Sequence, residues 1–131
     1  MFFLDTNTCI YFLNGRSESI RDRLLSTPPF EIGIPAIVKA ELLLEAYKSK
    51  IRRSTVERVE QFLSPFVIIP FEDPMTYHYA DIRSQLEKSA QIIGPNDLLI
   101  AAITRFHDAT LVTNNEREFK RVKKLRVENW R

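Results

Sequence analysis

The stretch Phe2-Phe3-Leu4-Asp5-Thr6-Asn7-Thr8 decides how this chain is read. Phe2, Phe3 and Leu4 form a short apolar run, and the next four residues are all helix-capping types. The order is therefore strand, turn, helix, and residues 10–13 carry the helix on until Asn14-Gly15 stops it. The same alternation continues down the chain. Ser17 is placed to cap a second helix through Leu25, with Ile20, Leu24 and Leu25 on one face, and Pro28-Pro29 ends it. Residues 31–34 read as a second strand, and Pro35 opens a helix over Ala36–Lys48. Thr55 can cap a further helix whose stripe is Val56, Val59, Phe62 and Leu63. Residues 66–71 are wholly apolar, which predicts a strand buried on both faces. Asp73-Pro74 opens a long helix to about Ala90, and Pro95-Asn96-Asp97 opens another that is apolar nearly all round over residues 98–103. Residues 110–113 are the fourth strand, a short helix covers residues 116–122, and Arg126–Glu128 is a last edge strand. Strands separated by helices pair in parallel through right-handed crossovers, so the expectation is a single α/β domain over residues 1–131.

Bulk properties narrow the class. With 131 residues, 44% hydrophobic and 27% charged, the chain is an ordinary globule that can bury its own core. A single cysteine, Cys9, excludes an intrachain disulfide framework and suits a reducing cytosol; packing is its expected role. The N-terminus has no basic leader and no apolar run is long enough to cross a bilayer, so the expected location is the cytoplasm. A net charge of +2 does not by itself mark a nucleic-acid binder. From Arg117 to Arg131, however, basic residues outnumber acids, which is either a solvated face or an edge that tracks phosphates.

In open parallel sheets ligands bind beyond the carboxyl ends of the strands, and acids stand there. Asp5 follows the first strand directly; Thr6, Asn7 and Thr8 could each cap the next helix, so capping does not require an acid. Glu41 shares a stripe with Ile37, Val38 and Leu44, where a carboxylate is costly without a cationic partner; Glu45 is its competitor. Asp97 opens the most apolar helix, which Asn96 can already cap. After the fourth strand, Asn115 and Glu118 share a helix face, which favours Glu118 over Glu116 as a fourth acid. Acids that converge repel one another, and a divalent cation resolves the conflict. Oxygen ligands without nearby Cys or His select Mg²⁺, with Mn²⁺ able to substitute. Such an ion can activate water and stabilise charge at a phosphodiester.

Leu4-Asp5-Thr6-Asn7-Thr8, Ala40-Glu41-Leu42, the run from Gly94 to Ala102, Leu111-Val112-Thr113-Asn114-Asn115 and Glu118-Phe119 together resemble a PIN-domain ribonuclease. Within that family the nearest subgroup is the VapC toxins of toxin–antitoxin pairs. The resemblance spans the chain. It implies a three-layer α/β/α fold with a central parallel sheet of four to five strands. It also implies a metal-dependent endoribonuclease acting on RNA, with tRNA a candidate, held inactive by an antitoxin and assembled as a homodimer or with that antitoxin. Asp5 and Asp97 would be the firmest metal ligands, Glu41 and Glu118 would complete the acidic set, and Asn7, Thr113 and Asn115 would support it. Asn115 departs from the family pattern, where an aspartate is common. Rival readings are an inactive RNA- or partner-binding module, an aspartate-nucleophile phosphohydrolase and a receiver domain. His78 and His107 are expected to be structural, Tyr77, Tyr79 and Trp130 to pack, and the faces of residues 20–25 and 56–63 either to pack into the core or, where exposed, to receive an antitoxin segment.

Overall fold

In the computed structural model, which describes residues 1–131, the opening apolar run is β1 (Phe2–Leu4), the central strand of a five-stranded parallel sheet. The other strands are β2 (Ile32–Pro35), β3 (Val67–Ile69), β4 (Thr110–Val112) and β5 (Arg126–Glu128), in the order β3-β2-β1-β4-β5. Phe3 pairs with Gly33 on one side and Leu111 on the other, so β1 is hydrogen-bonded along both edges. Between them run α1 (Thr6–Leu13), α2 (Glu18–Ser26), α3 (Ala36–Lys48), α4 (Arg52–Leu63), α5 (Met75–Lys88), α6 (Pro95–Phe106) and α7 (Glu116–Phe119). The expected three-layer α/β/α fold and parallel sheet are present. Right-handed crossovers send α1–α4 to one face and α5–α7 to the other. No helix is long and apolar enough to cross a membrane.

The chain turns from β1 toward β2 in one direction, and from β4 toward β5 in the opposite one. The direction of winding thus reverses between β1 and β4, which opens a crevice at their carboxyl ends. Beneath it the core is dry. Phe3, Leu4, Ile34, Ile100, Ile103 and Leu111 are all essentially inaccessible to solvent. Gly33 is required by packing rather than by its backbone angle: a Cβ there would stand 2.7 Å from the Phe3 ring.

Several local expectations change. Residues 66–71 do not form a strand buried on both faces. Only Val67–Ile69 pair, at an edge of the sheet, and Val67 is half exposed. Thr55 does not cap α4, which starts three residues earlier; its hydroxyl instead bonds back to the Ile51 carbonyl within the helix. Asn96 does not cap α6, because the proline-led helix begins at Pro95 after Gly94. The helix opened by Asp73-Pro74 ends at Lys88 rather than Ala90, and α7 is a single turn. Leu25 lies in solvent, not on the buried face of Ile20 and Leu24. Trp130 is buried edge-on against Phe2, while Tyr77 is exposed.

Candidate active site

The β1–β4 crevice holds Asp5, nearly fully buried where the strand ends. Its main-chain N–H extends the β1–β4 ladder by donating to the Val112 carbonyl at 3.1 Å. Its side chain is fixed on both oxygens. Oδ1 accepts the Thr8 N–H at 2.9 Å, so Asp5 does cap α1, a duty that local pattern leaves equally open to its three neighbours. Oδ2 accepts the Thr113 hydroxyl. Burial pushes the Asp5 carboxyl up, and the bonds from Thr113 and Thr8 pull it back. Thr8 is itself buried and donates to the Val112 carbonyl at 3.2 Å, which ties α1 to β4.

Three further acids surround this anchor. Asp97 sits in the first turn of α6, and burial followed by the charges of Asp5, Glu41 and Glu118 pushes its carboxyl up to about 6. Asp97 is therefore within electrostatic reach of the other three acids. Glu41, half-buried on α3, is held from α1: the Thr6 hydroxyl donates to its Oε1 at 2.8 Å. Glu118 is held on α7 by the Asn115 amide, whose Nδ2 donates to Oε2 at 2.9 Å. Thr113 links the two ends of the cluster, since its hydroxyl also accepts the Asn115 N–H at 2.8 Å.

The competing acids fall away. Glu45 is exposed one turn along α3 and pairs with Lys48, while Glu116 pairs with Lys120 at 3.0 Å. Asn7 is exposed in the first turn of α1, and no hydrogen bond joins its side chain to the acids. Thr6 and Thr8 join the site without having been singled out by the sequence. Their signal is the capping block itself, whose members do different jobs once Asp5 takes the cap. The histidines lie elsewhere: His78 accepts from Arg105 at 2.8 Å, and His107 packs edge-on to Phe3.

None of the protein's ion pairs involves Asp5, Glu41, Asp97 or Glu118. Four carboxylates share one crevice with no cationic side chain paired to them, an arrangement suited to a hard divalent ion. No three acids stand at the spacing of one inner coordination shell. Mg²⁺ does not need that, because it keeps most of its waters and takes one or two carboxylates directly.

Comparison with known proteins agrees with this geometry. Residues 2–125 match the model of the PIN domain. Over 131 residues the chain is 42% identical to the ribonuclease VapC2 of Rickettsia felis, covering 99% of this chain and 98% of that protein. It is 35% identical over 130 residues to the tRNA(fMet)-specific endonuclease VapC of Salmonella typhimurium, covering 98% and 97% of the two chains. Among solved structures, a chain of the Rickettsia felis VapBC2 complex bound to a DNA fragment from its promoter superposes with a TM-score of 0.92. That match has 41% identity and covers 99% of this chain and 98% of the other.

Proposed function

The chain belongs to the PIN-domain family, with VapC ribonucleases as full-length relatives, and from that premise we propose that it is the toxic ribonuclease of a toxin–antitoxin pair. It hydrolyses RNA phosphodiester bonds endonucleolytically with Mg²⁺ as cofactor, and tRNA is the favoured substrate class by likeness to the Salmonella relative. The observation that carries this reading is the four-acid crevice at the winding reversal, with Asp97 raised to about 6 and no basic side chain paired into the cluster.

Asp5 and Asp97 would hold the metal. When bound, the ion supplies positive charge and Lewis acidity at the scissile phosphate. The chain's own groups do the positioning. Asp5 cannot swing away, because both its oxygens are bonded to separate elements, α1 and the end of β4. Glu41 or Glu118, each restrained by one donor, Thr6 or Asn115, orients the attacking water for in-line displacement. Attack by water leaves a 5′-phosphate and a 3′-hydroxyl. Mapping the ends of cleaved RNA tests this directly. Products ending in a 2′,3′-cyclic phosphate would mean attack by the ribose hydroxyl and would overturn the mechanism.

Partners follow from the same likeness, since the Rickettsia felis structure is that of a VapBC complex. We infer a cognate antitoxin that silences the nuclease, and a homodimer when the toxin stands alone. Co-expression with the gene product beside it should relieve growth arrest, and arrest by the Asp5→Asn variant alone would count against a catalytic toxin.

A further inference from the structure

The basic stretch near the C-terminus divides once its contacts are known. Lys120 pairs with Glu116, and Arg126 grips Asp108 with two contacts of 2.8 and 2.9 Å. Arg121 donates to the carbonyls of Gln91 and Ile92, and Arg131 lies over the Tyr11 ring. Lys123 and Lys124 have no ion-pair partner, and both line a cavity of about 420 Å³ with His78, Asp81, Gln85, Arg105 and Asp108 and no hydrophobic side chain.

This cavity is organised. Arg105, with only 10% of its side chain exposed, donates to His78 Nδ1 at 2.8 Å, to Asp81 at 2.8 Å and to the Lys123 carbonyl at 3.2 Å. It thereby fixes α5, α6 and the segment after α7 around one space. Asp81 pairs with Arg105 and Asp108 with Arg126, so neither lysine has an ion pair of its own within the cavity. Lys124 stands within electrostatic reach of Asp81: Arg105 first, then Gln85 and Lys124, keep the Asp81 carboxyl below its usual range. The His78 Nδ1 is an acceptor for Arg105, which leaves Nε2 as a donor.

We propose that this cavity is a second, non-catalytic contact for the RNA, seating a backbone phosphate between Lys123, Lys124 and His78. The proposal rests on the RNA-nuclease reading of the acidic crevice and extends it to substrate length. Arg105 follows Asp97 by eight residues on the same helix, about 12 Å along its axis. The cavity thus lies at the opposite end of α6 from Asp97, so the seated phosphate is several nucleotides from the scissile one. Short oligonucleotides would then miss the contact, while a tRNA-sized substrate would reach it.

The test uses the antitoxin-free full chain carrying Asp97→Asn to prevent cleavage, titrated with end-labelled tRNA-length RNA at several salt concentrations. Adding Lys123→Ala and Lys124→Ala together should weaken binding about tenfold and flatten the log–log salt slope by roughly 0.7 to 0.9, the contribution of one phosphate. The change Lys50→Ala paired with Lys88→Ala, two exposed lysines outside the cavity, removes the same charge and should do neither. In the otherwise unmodified enzyme, the lysine pair should raise KM for long RNA, leave kcat unchanged and leave a short oligonucleotide unaffected. Equal loss with the Lys50→Ala and Lys88→Ala pair, or an unchanged salt slope, would overturn the site. Saturation by inorganic phosphate with no effect on RNA binding would assign the cavity to a small anion instead and also overturn it. Lysine-dependent binding without any cleavage by the unmodified chain would sink the nuclease reading while leaving this site standing.

Discussion

Replacing Asp97 by asparagine should abolish cleavage and yet make the metal-free protein more stable at neutral pH. Burial, then the charges of Asp5, Glu41 and Glu118, push the Asp97 carboxyl from 3.8 up to about 6 in the folded chain, a rise of about 2. The folded state therefore holds the proton more tightly than the unfolded one. Stability falls as pH rises from 3.8 to 6 and stays low above that. At 1.36 kcal/mol per unit the full penalty would be about 3 kcal/mol. Asp97 keeps some contact with water, so screening reduces this to about 1–2 kcal/mol. The substituted amide carries no charge and escapes the penalty. In EDTA at pH 7.5 the Asp97→Asn variant should melt several degrees higher than the unmodified chain, on the order of 3–5 °C per kcal/mol for this size. At pH 5.0 the gain should shrink by about half. Mg²⁺ should raise the melting temperature of the unmodified chain and leave the variant's almost unchanged. An equal loss of stability at both pH values would refute the reasoning, because Asp97 would then be an ordinary first-turn acid.

Three other outcomes follow from single contacts. Thr6→Val frees Glu41 and should lower kcat about tenfold with little change in melting temperature, whereas Thr6→Ser should restore most of the rate by keeping the hydroxyl; equal effects of the two would remove Thr6 from a positioning role. Gly33→Ala drives a methyl into the Phe3 ring and should cost about 1–3 kcal/mol in denaturant unfolding, and a neutral result would mean that β1 and β2 shift apart freely. Cys9 is fully buried, with its thiol pushed well up by burial and by Asp5, so it should resist thiol reagents until the chain unfolds; rapid labelling of the native protein would contradict that packing.

Much of this architecture is legible in the chain because its punctuation is local. Ser17 caps α2 through its own hydroxyl, Pro35 and Pro95 stand at helix starts, and apolar runs mark the strands. Where local pattern misleads, the outcome depends on neighbours. An apolar run such as residues 66–71 looks the same at the centre of a sheet as at its rim, and only the strand order puts Val67 at an edge. The capping block after β1 offers four candidates of similar chemistry, and burial selects Asp5 because its other oxygen is claimed by Thr113, 108 positions away. The acids themselves can be chosen from their placement at strand ends and helix starts. Which of two nearby candidates faces inward is decided by pairing: Glu45 and Glu116 find lysines on their own helices or beside them, and Glu41 and Glu118 find neutral donors instead. Long-range hydrogen bonds such as Thr6 to Glu41 leave no trace in local pattern, so the groups that hold the acids are harder to read than the acids.

The most direct measurement incubates purified, antitoxin-free protein with total RNA in Mg²⁺, beside EDTA and beside the Asp5→Asn and Asp97→Asn variants. The account predicts discrete cuts with 5′-phosphate ends that disappear with EDTA and with either substitution. Cleavage that persists in EDTA, or in both folded variants, would contradict the claim that carboxylate-held metal does the chemistry.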